Sequence, residues 1–217
     1  MTERSLRERL RAIRVFVADP PAFAADAAPP APLPLLVDWL ETAIDAGVLQ
    51  PHAMVLATAD GRGVPAARTL LLKDVDERGL WFASLADSPK GRDLEANPEA
   101  AVVLYWREQG RQVRVTGAVR PGPATVSTAD FLARHPVARA GAIAGRQSEP
   151  LPDDAVQHIE AAARLVAEHP DTVAESWTAW VLEPRSVEFW QATPDRDQLR
   201  LRYDLLDGVW SHTRLWP

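Results

Sequence analysis

Short alternating segments dominate the chain from Ala53 onward. Apolar and polar residues alternate there with a period of two, and several segments are separated by dipeptides that contain glycine, such as Asp60-Gly61, Arg78-Gly79 and Gln109-Gly110. A period of two is typical of strands with one buried face, and such dipeptides favour tight turns. The predicted strands are 53–58, 67–73, 80–84, 100–106, 112–119, 177–182, 187–191, 200–204 and 209–212.

Helical spacing precedes and interrupts this series. Residues 35–48 carry apolar side chains three and four positions apart and reach Gly47, which predicts a helix that ends there. Ser88 followed by Pro89 predicts the start of a second helix, which should stop at Ala96 before an Asn-Pro pair. Two more helices are predicted over 124–134 and 153–168.

The first 34 residues differ from the rest. The spacing of Leu6, Leu10, Ile13 and Val17 predicts a short amphipathic helix, whereas residues 18–34 are dominated by alanine and proline. Proline lacks an N–H group and restricts the backbone, so we expect an extended or disordered arm there and no helix. The predicted domains are therefore 1–34, a helix with a partly disordered arm, and 35–217, one folded domain. The fold class is mainly β with peripheral helices (α+β), an antiparallel barrel.

Composition narrows the function. The 217 residues include no cysteine, which excludes disulfides, iron–sulfur clusters and thiol catalysis. The net charge of -6 argues against nucleic-acid binding, and no apolar run approaches the roughly 20 residues of a membrane span. Met1 to Arg14 leads into no hydrophobic signal core, so we expect a cytoplasmic protein. The histidines are scattered, so the sequence predicts no metal site. Gly-x-Gly-x-x-Gly and Walker motifs are missing, which argues against dinucleotide-binding and P-loop domains. If the protein is an enzyme, a bound organic cofactor is the simplest way for it to catalyse a demanding reaction.

The segment 83–92 carries the clearest chemical signal. Lys90 lies in the first turn of a predicted helix, where unpaired N–H groups and the lysine together form a seat for an anion. Arg68 lies in an apolar strand and must be paired or exposed. A regular pleat places Arg68 and Lys73 on opposite faces. These residues indicate a phosphate site, and a solvated lysine beside an ordinary helix cap explains the local pattern equally well.

Three further segments have ordinary structural explanations. Residues 111–115 alternate as a half-exposed strand would, and 147–149 read as a turn before a helix. Trp190 is by type more often a core residue than a cofactor contact, and Arg196 reads equally as a surface charge. None of these segments defines a site alone.

In their order along the chain, however, the segments resemble the pyridoxamine 5'-phosphate oxidase family from about Leu35 to the C-terminus. The matching motifs are 53–58, 68–73, 87–92, 105–106, 110–113, 147–150, 187–191 and 214–217. The resemblance implies an FMN-binding split β-barrel, antiparallel and Greek-key-like, that forms a homodimer with FMN sites built from both subunits. Pro89 stands where the family usually has an arginine. The cofactor-binding residues that the resemblance implies are Arg68, Thr69, Leu70, Leu71, Lys73, Ser84, Lys90, Gln112, Gln147, Ser148, Trp190 and Arg200.

The substrate side departs further from the family. Lys73 and Arg134 match a lysine and an arginine that grip the substrate phosphate, but Asp130 and Ala138 stand where the family has tyrosine and serine. Arg196 and Gln198 match the catalytic stretch that covers the substrate ring, with Gln198 in place of a histidine. A carboxylate near a phosphate pocket weakens phosphate binding. The flavin site is therefore better supported than the substrate site.

These observations leave three functions open. The first is oxidation of pyridoxine or pyridoxamine 5'-phosphate by hydride abstraction, with O2 as electron acceptor. The second is oxidation of a phenazine-like or other dihydroaromatic precursor, because residues 86–88, 104–108 and 145–149 are also similar to flavin oxidases of phenazine biosynthesis. The third is a non-catalytic flavin-binding protein, since a fold does not determine a substrate.

Overall fold

The protein is described by a computed structural model over residues 4–13, 20–193 and 198–217. These ranges contain six α-helices and one antiparallel sheet of nine strands. The helices are α1 (Leu6–Arg11), α2 (Pro32–Asp45), α3 (Pro89–Ala96), α4 (Ala124–Leu132), α5 (Pro136–Ala144) and α6 (Ala155–Glu168). The strands are β1 (Ala53–Ala59), β2 (Pro65–Leu71), β3 (Asp74–Asp76), β4 (Gly79–Leu85), β5 (Glu99–Trp106), β6 (Arg111–Pro121), β7 (Trp177–Gln191), β8 (Leu199–Leu206) and β9 (Val209–Arg214).

The long strand β7 organises the sheet. The strands run in the order β2-β1-β5-β6-β7-β4-β3. Strand β6 lies along one edge of β7, while the other edge is shared: its first part pairs with β4 and its last part with β8, which in turn pairs with β9. The sheet therefore divides at β7 and curls as a split barrel with helices outside it, which confirms the predicted fold class.

The predicted strands 177–182 and 187–191 are in fact one strand. Pro184 lies in the predicted gap, and the β6–β7 ladder accommodates it through an irregularity at Thr116 and Gly117, opposite Ser186 and Pro184. A side chain at Gly117 would collide with the carbonyl oxygen of Glu183, so this close crossing requires glycine. The short strand β3 and the helix α5 were not predicted.

Helix α2 covers one end of the barrel. Its buried side chains Leu36, Trp39 and Ala43 join the main core, where the Trp39 ring packs edge-on against Phe189 with centroids 5.1 Å apart. The prediction that residues 18–34 form no helix was wrong, because a short 3-10 helix spans Ala25–Ala27 and α2 begins at Pro32. Proline is compatible with the first turn, where the missing N–H would have no partner in the helix. The predicted domain boundary after residue 34 thus lies inside α2.

The described part of the arm lies against the barrel. The buried guanidinium of Arg111 donates to the Ala22 carbonyl at 2.9 Å, and the Gln191 amide donates to the Pro21 carbonyl at 2.7 Å. The Tyr203 hydroxyl donates to the Pro29 carbonyl at 2.8 Å. The predicted N-terminal helix is present as α1, while Val17 and Arg196 lie outside the described residues. The division into two domains stays a prediction.

Candidate cofactor and substrate site

The start of α3 forms the centre of the site. Strand β4 ends at Leu85, and the Ser88 hydroxyl donates to the Leu85 carbonyl at 2.7 Å while it accepts the Gly91 N–H at 3.3 Å as the helix cap. A side chain at Gly91 would collide with the Ala86 carbonyl oxygen, so glycine lets the turn and the helix touch. Lys90 is consequently held in the first turn with only 5% of its surface exposed.

Lys90 lacks a charged partner of opposite sign. Its Nζ donates to the Ser88 hydroxyl at 3.1 Å and to the Gln147 side-chain oxygen, both uncharged. Burial and, to a smaller extent, the nearby positive charge of Arg68 together lower the pKa of Lys90 to about 8. Over the described residues no carboxylate forms an ion pair with Lys90. A buried ammonium beside a second cation is suited to binding an anion.

Arg68 is held by two residues that the sequence analysis did not single out. Its guanidinium donates to the Thr58 hydroxyl at 2.7 Å, and Thr58 donates to the Asp93 carboxylate at 2.7 Å. Asp93 lies 3.8 Å from Arg68 and only partly offsets the effect of burial, which lowers the pKa of Arg68. Asp93 follows Lys90 by three residues on α3, and residues at this spacing lie on the same side of a helix. The spacing could therefore have indicated from the sequence that both residues face the same strand.

A cavity of about 400 Å³ opens beside these cations. It brings together six of the predicted cofactor and substrate residues, which come from β2, β4, α3, α5 and the segments around them. These residues are Leu70, Ser84, Lys90, Arg134, Ala138 and Gln147. Ser148, next to Gln147, has a left-handed backbone with φ 69, which is uncommon for a residue other than glycine.

The predicted substrate residues form a connected cluster that extends from this cavity, which Arg134 and Ala138 line, to a smaller cavity of about 190 Å³, which Lys73 and Asp130 line. Lys73 Nζ lies 3.1 Å from Asp130 Oδ1, and the indole N–H of Trp177 donates to Asp130 Oδ2 at 3.0 Å. The guanidinium of Arg134 lies 3.9 Å above the Trp177 ring and donates through Nη2 to the Ala138 carbonyl at 3.2 Å. Burial lowers the pKa of Arg134, and Asp130 opposes that effect.

A second group of predicted residues lies on another part of the sheet. Gln112, Trp190 and Arg200 are direct neighbours in register on β6, β7 and β8. Arg200 donates to the buried carboxylate of Glu188 at 2.7 Å, and Glu188 also accepts from Arg114 at 2.8 Å. Gln198 and Arg200 line a smaller cavity of about 270 Å³ with the C-terminal residues 214–217.

The two groups lie at opposite ends of β7. Ser84 pairs with Thr178 near the start of β7, and Gln112 pairs with Trp190 near its end. Twelve residues of strand correspond to a contour of about 40 Å. The structure therefore brings Lys90, Arg134 and Gln147 together, and it places Gln112, Trp190 and Arg200 elsewhere in the same chain. Thr69 and Leu71 lie on the edge strand β2 with exposed side chains.

The split-barrel fold relates the chain to solved proteins. The chain is similar in fold to a pyridoxamine 5'-phosphate oxidase-related, FMN-binding protein from Nostoc punctiforme, with a TM-score of 0.72 and 19% identity over 88% of this chain and 100% of that one. None of the helices in the described ranges is long and apolar enough to cross a membrane.

Family models identify the chain more closely. Residues 40–166 match the model described as pyridoxamine 5'-phosphate oxidase, and residues 177–217 match the pyridoxine 5'-phosphate oxidase C-terminal dimerisation region. A pyridoxine/pyridoxamine 5'-phosphate oxidase from Polynucleobacter asymbioticus is 40% identical over 86% of this chain and 89% of its own length. The chain belongs to the pyridoxamine 5'-phosphate oxidase family, a family of FMN-dependent oxidoreductases.

One solved relative has a different kind of ligand. PhzG from Burkholderia lata, solved in complex with tetrahydrophenazine-1-carboxylic acid, is 33% identical to this chain, with a TM-score of 0.84 over 90% of this chain and 98% of that one. The resemblance to both branches that the sequence motifs indicated is thus confirmed at the level of family.

Proposed function

We propose that the protein is an FMN-dependent oxidase that binds the FMN phosphate between Lys90 and Arg68, with Ser84 and Gln147 nearby. The observation that carries this proposal is the buried Lys90 at the start of α3, which has uncharged partners and lies near the partly buried Arg68 of β2. When bound, FMN would accept a hydride from the substrate and pass its electrons to O2. The cations and helix N–H groups of the chain hold the phosphate, and Thr58 and Asp93 orient Arg68 toward it.

We propose further that each site is shared between two copies of the chain. In the described part of one chain, Lys90 follows β4 near the start of β7 whereas Trp190 lies near the end of β7, and the match to a dimerisation region supports a homodimer. The outer face of the sheet supports it too, because the exposed apolar residues Val55, Leu71 and Tyr105 lie on this face. A second copy would cover them and supply Gln112, Trp190 and Arg200 to the cofactor.

Two substrates fit this site. The names of the curated relatives favour pyridoxine or pyridoxamine 5'-phosphate, whose phosphate would approach Arg134 and Lys73. The second candidate is an unphosphorylated dihydroaromatic compound of the kind bound by PhzG, and the ion pair between Lys73 and Asp130 favours it. In both cases the walls of the cavity position the ring, and Arg134 contacts the acidic group.

The test begins with the flavin. The purified protein should be yellow and release FMN, and it should bind FMN more tightly than riboflavin in a fluorescence titration. Equal affinity for the two would contradict a phosphate seat at Lys90. Anaerobic mixing with pyridoxamine 5'-phosphate, and separately with a dihydrophenazine carboxylate, should then bleach the flavin with one of them. A protein that holds FMN and is bleached by neither would be a flavin-binding protein without this activity.

A further inference from the structure

We propose that Asp130 sets the charge class of the substrate, so that the wall formed by Lys73, Arg134 and Trp177 accepts a group with a single negative charge, such as a carboxylate, and disfavours a phosphate dianion. The inference rests on the proposed function, because it concerns the substrate pocket of the same site. It goes further by naming the residue that selects the substrate.

Lys73 forms an ion pair within the protein. Its ammonium lies 3.1 Å from Asp130 Oδ1. The other oxygen of Asp130 accepts the indole N–H of Trp177 at 3.0 Å, so both oxygens are engaged and the carboxylate is held in place. The Asp130 side chain is 17% exposed, and its two partners fix the position of the carboxylate beside Lys73. Asp130 therefore offsets the positive charge that Lys73, whose side chain is 40% exposed, presents to a ligand.

Arg134 has one buried donor that no described residue satisfies. Its guanidinium carbon lies 3.9 Å from the centre of the Trp177 ring, and its Nη2 donates to the Ala138 carbonyl. Its Nη1 is buried and has no hydrogen-bond partner among the described residues. A buried donor without a partner costs free energy until a ligand supplies an acceptor. One oxygen of a carboxylate meets that need.

The charges of the wall sum to a single positive charge. Lys73 and Arg134 contribute two, and Asp130 removes one, so a monoanion balances the wall. A phosphate dianion would bring a second negative charge toward Asp130, and a like charge within about 4–6 Å shifts such an equilibrium by roughly tenfold or more. The wall thus discriminates by repulsion as well as by attraction.

The experiment compares two ligands that share a ring system and differ in charge. Binding of 1-naphthoate and of 1-naphthyl phosphate is measured by calorimetry at pH 7.5 on protein saturated with FMN, which keeps the cofactor's own phosphate seat occupied. A phosphate monoester has its second pKa near 6, so the second ligand is a dianion at this pH. The parent should bind the carboxylate at least tenfold more tightly.

Substitutions assign the preference to Asp130. Asp130→Asn keeps an acceptor for Trp177 and frees Lys73, and it should move the affinity ratio toward the phosphate by at least tenfold. Asp130→Glu keeps the charge and should retain the preference of the parent. Asp74→Asn is the matched control, because it removes one carboxylate that lies beside Lys73 in sequence but is not its ion-pair partner.

Each result bears on the proposal. A parent that binds both ligands equally, prefers the phosphate or binds neither would overturn it, as would an Asp130→Asn protein with the parent's ratio. Failure of the proposed function looks different, since the protein would then retain no FMN, or would hold FMN that neither substrate bleaches. Efficient oxidation of pyridoxamine 5'-phosphate by the parent, unchanged in Asp130→Asn, would support the oxidase and refute the role of Asp130.

Discussion

The affinity for FMN should fall as the pH rises through about 8, because Lys90 loses its proton in the unliganded protein near that value. Burial disfavours the charged ammonium, and Arg68 adds to the effect. A bound phosphate dianion favours the charged form, so it raises the pKa of Lys90 back toward the ordinary value of about 10.4. Between these two pH values, binding of FMN requires uptake of a proton.

The magnitude follows from linkage. In this window the affinity should decrease by up to about tenfold per pH unit, which corresponds to about 1.4 kcal/mol per unit. The stability of the unliganded protein should change in the opposite direction. A lysine whose pKa is lowered by folding binds fewer protons than in the unfolded chain, so the free energy of unfolding rises with pH between about 8 and 10.4.

The assay is a titration of FMN fluorescence from pH 7 to 9.5. Riboflavin is the internal control, because it shares the ring and lacks the phosphate, so its pH dependence is subtracted. The phosphate itself does not titrate here, since its second pKa is near 6. Lys90→Arg should bind FMN with little pH dependence, because a guanidinium stays charged, and Lys90→Met should lose the dependence and about 1.5–3 kcal/mol of binding. An unchanged ratio of FMN to riboflavin affinity across this range in the parent would refute the assignment.

Three other predictions follow from the described contacts. Asp93→Asn should weaken FMN binding by roughly three- to tenfold in the same titration, with riboflavin binding unchanged, because it loosens Arg68 through Thr58; equal losses for both flavins would indicate a general loss of structure. Arg111→Met should lower the melting temperature by about 2–10 °C, because it leaves the Ala22 carbonyl and the Gln191 side chain without their donor; an unchanged thermal scan would show that the arm contributes nothing. Dilution that dissociates the dimer in light scattering should release flavin in parallel, and a monomer with stoichiometric FMN would contradict the shared site.

Local chemistry was the most predictable part of the molecule. The Ser-Pro cap and Lys90 lie within three consecutive residues, and helix α3 spans Pro89–Ala96 as predicted. The strands were predicted to within a few residues because their alternating pattern is local. The gap predicted within β7 contains Pro184, a residue that usually ends a ladder, and the facing Gly117 shows how the ladder passes it. Helix α5 was missed because its alanines and glycine form no clear apolar stripe.

Contacts between distant segments could not be predicted. Thr58, Arg68 and Asp93 come from three elements, and their arrangement depends on the register of β1 with β2 and on the packing of α3. Asp130 was recognised as a departure from the family, but its partner Lys73 lies 57 residues earlier and its partner Trp177 lies 47 residues later. The resemblance to the family indicated which residues are candidates for the site, and the fold was needed to show which of them line the same cavity.

The net charge of the chain did not indicate an anionic ligand, because the cations of the site are brought together only by the fold. The chain carries a net charge of -6, which by itself predicts little attraction for anions at long range. Lys90, Arg68 and Arg134 nevertheless lie in or beside one cavity, and burial lowers the pKa of all three. Charges in such a partly dry site act more strongly than solvated charges on the surface, where salt screens them. We therefore expect the affinity for a phosphate or carboxylate to depend on these few desolvated groups and on Asp130, and to respond weakly to the acidic surface of the rest of the protein.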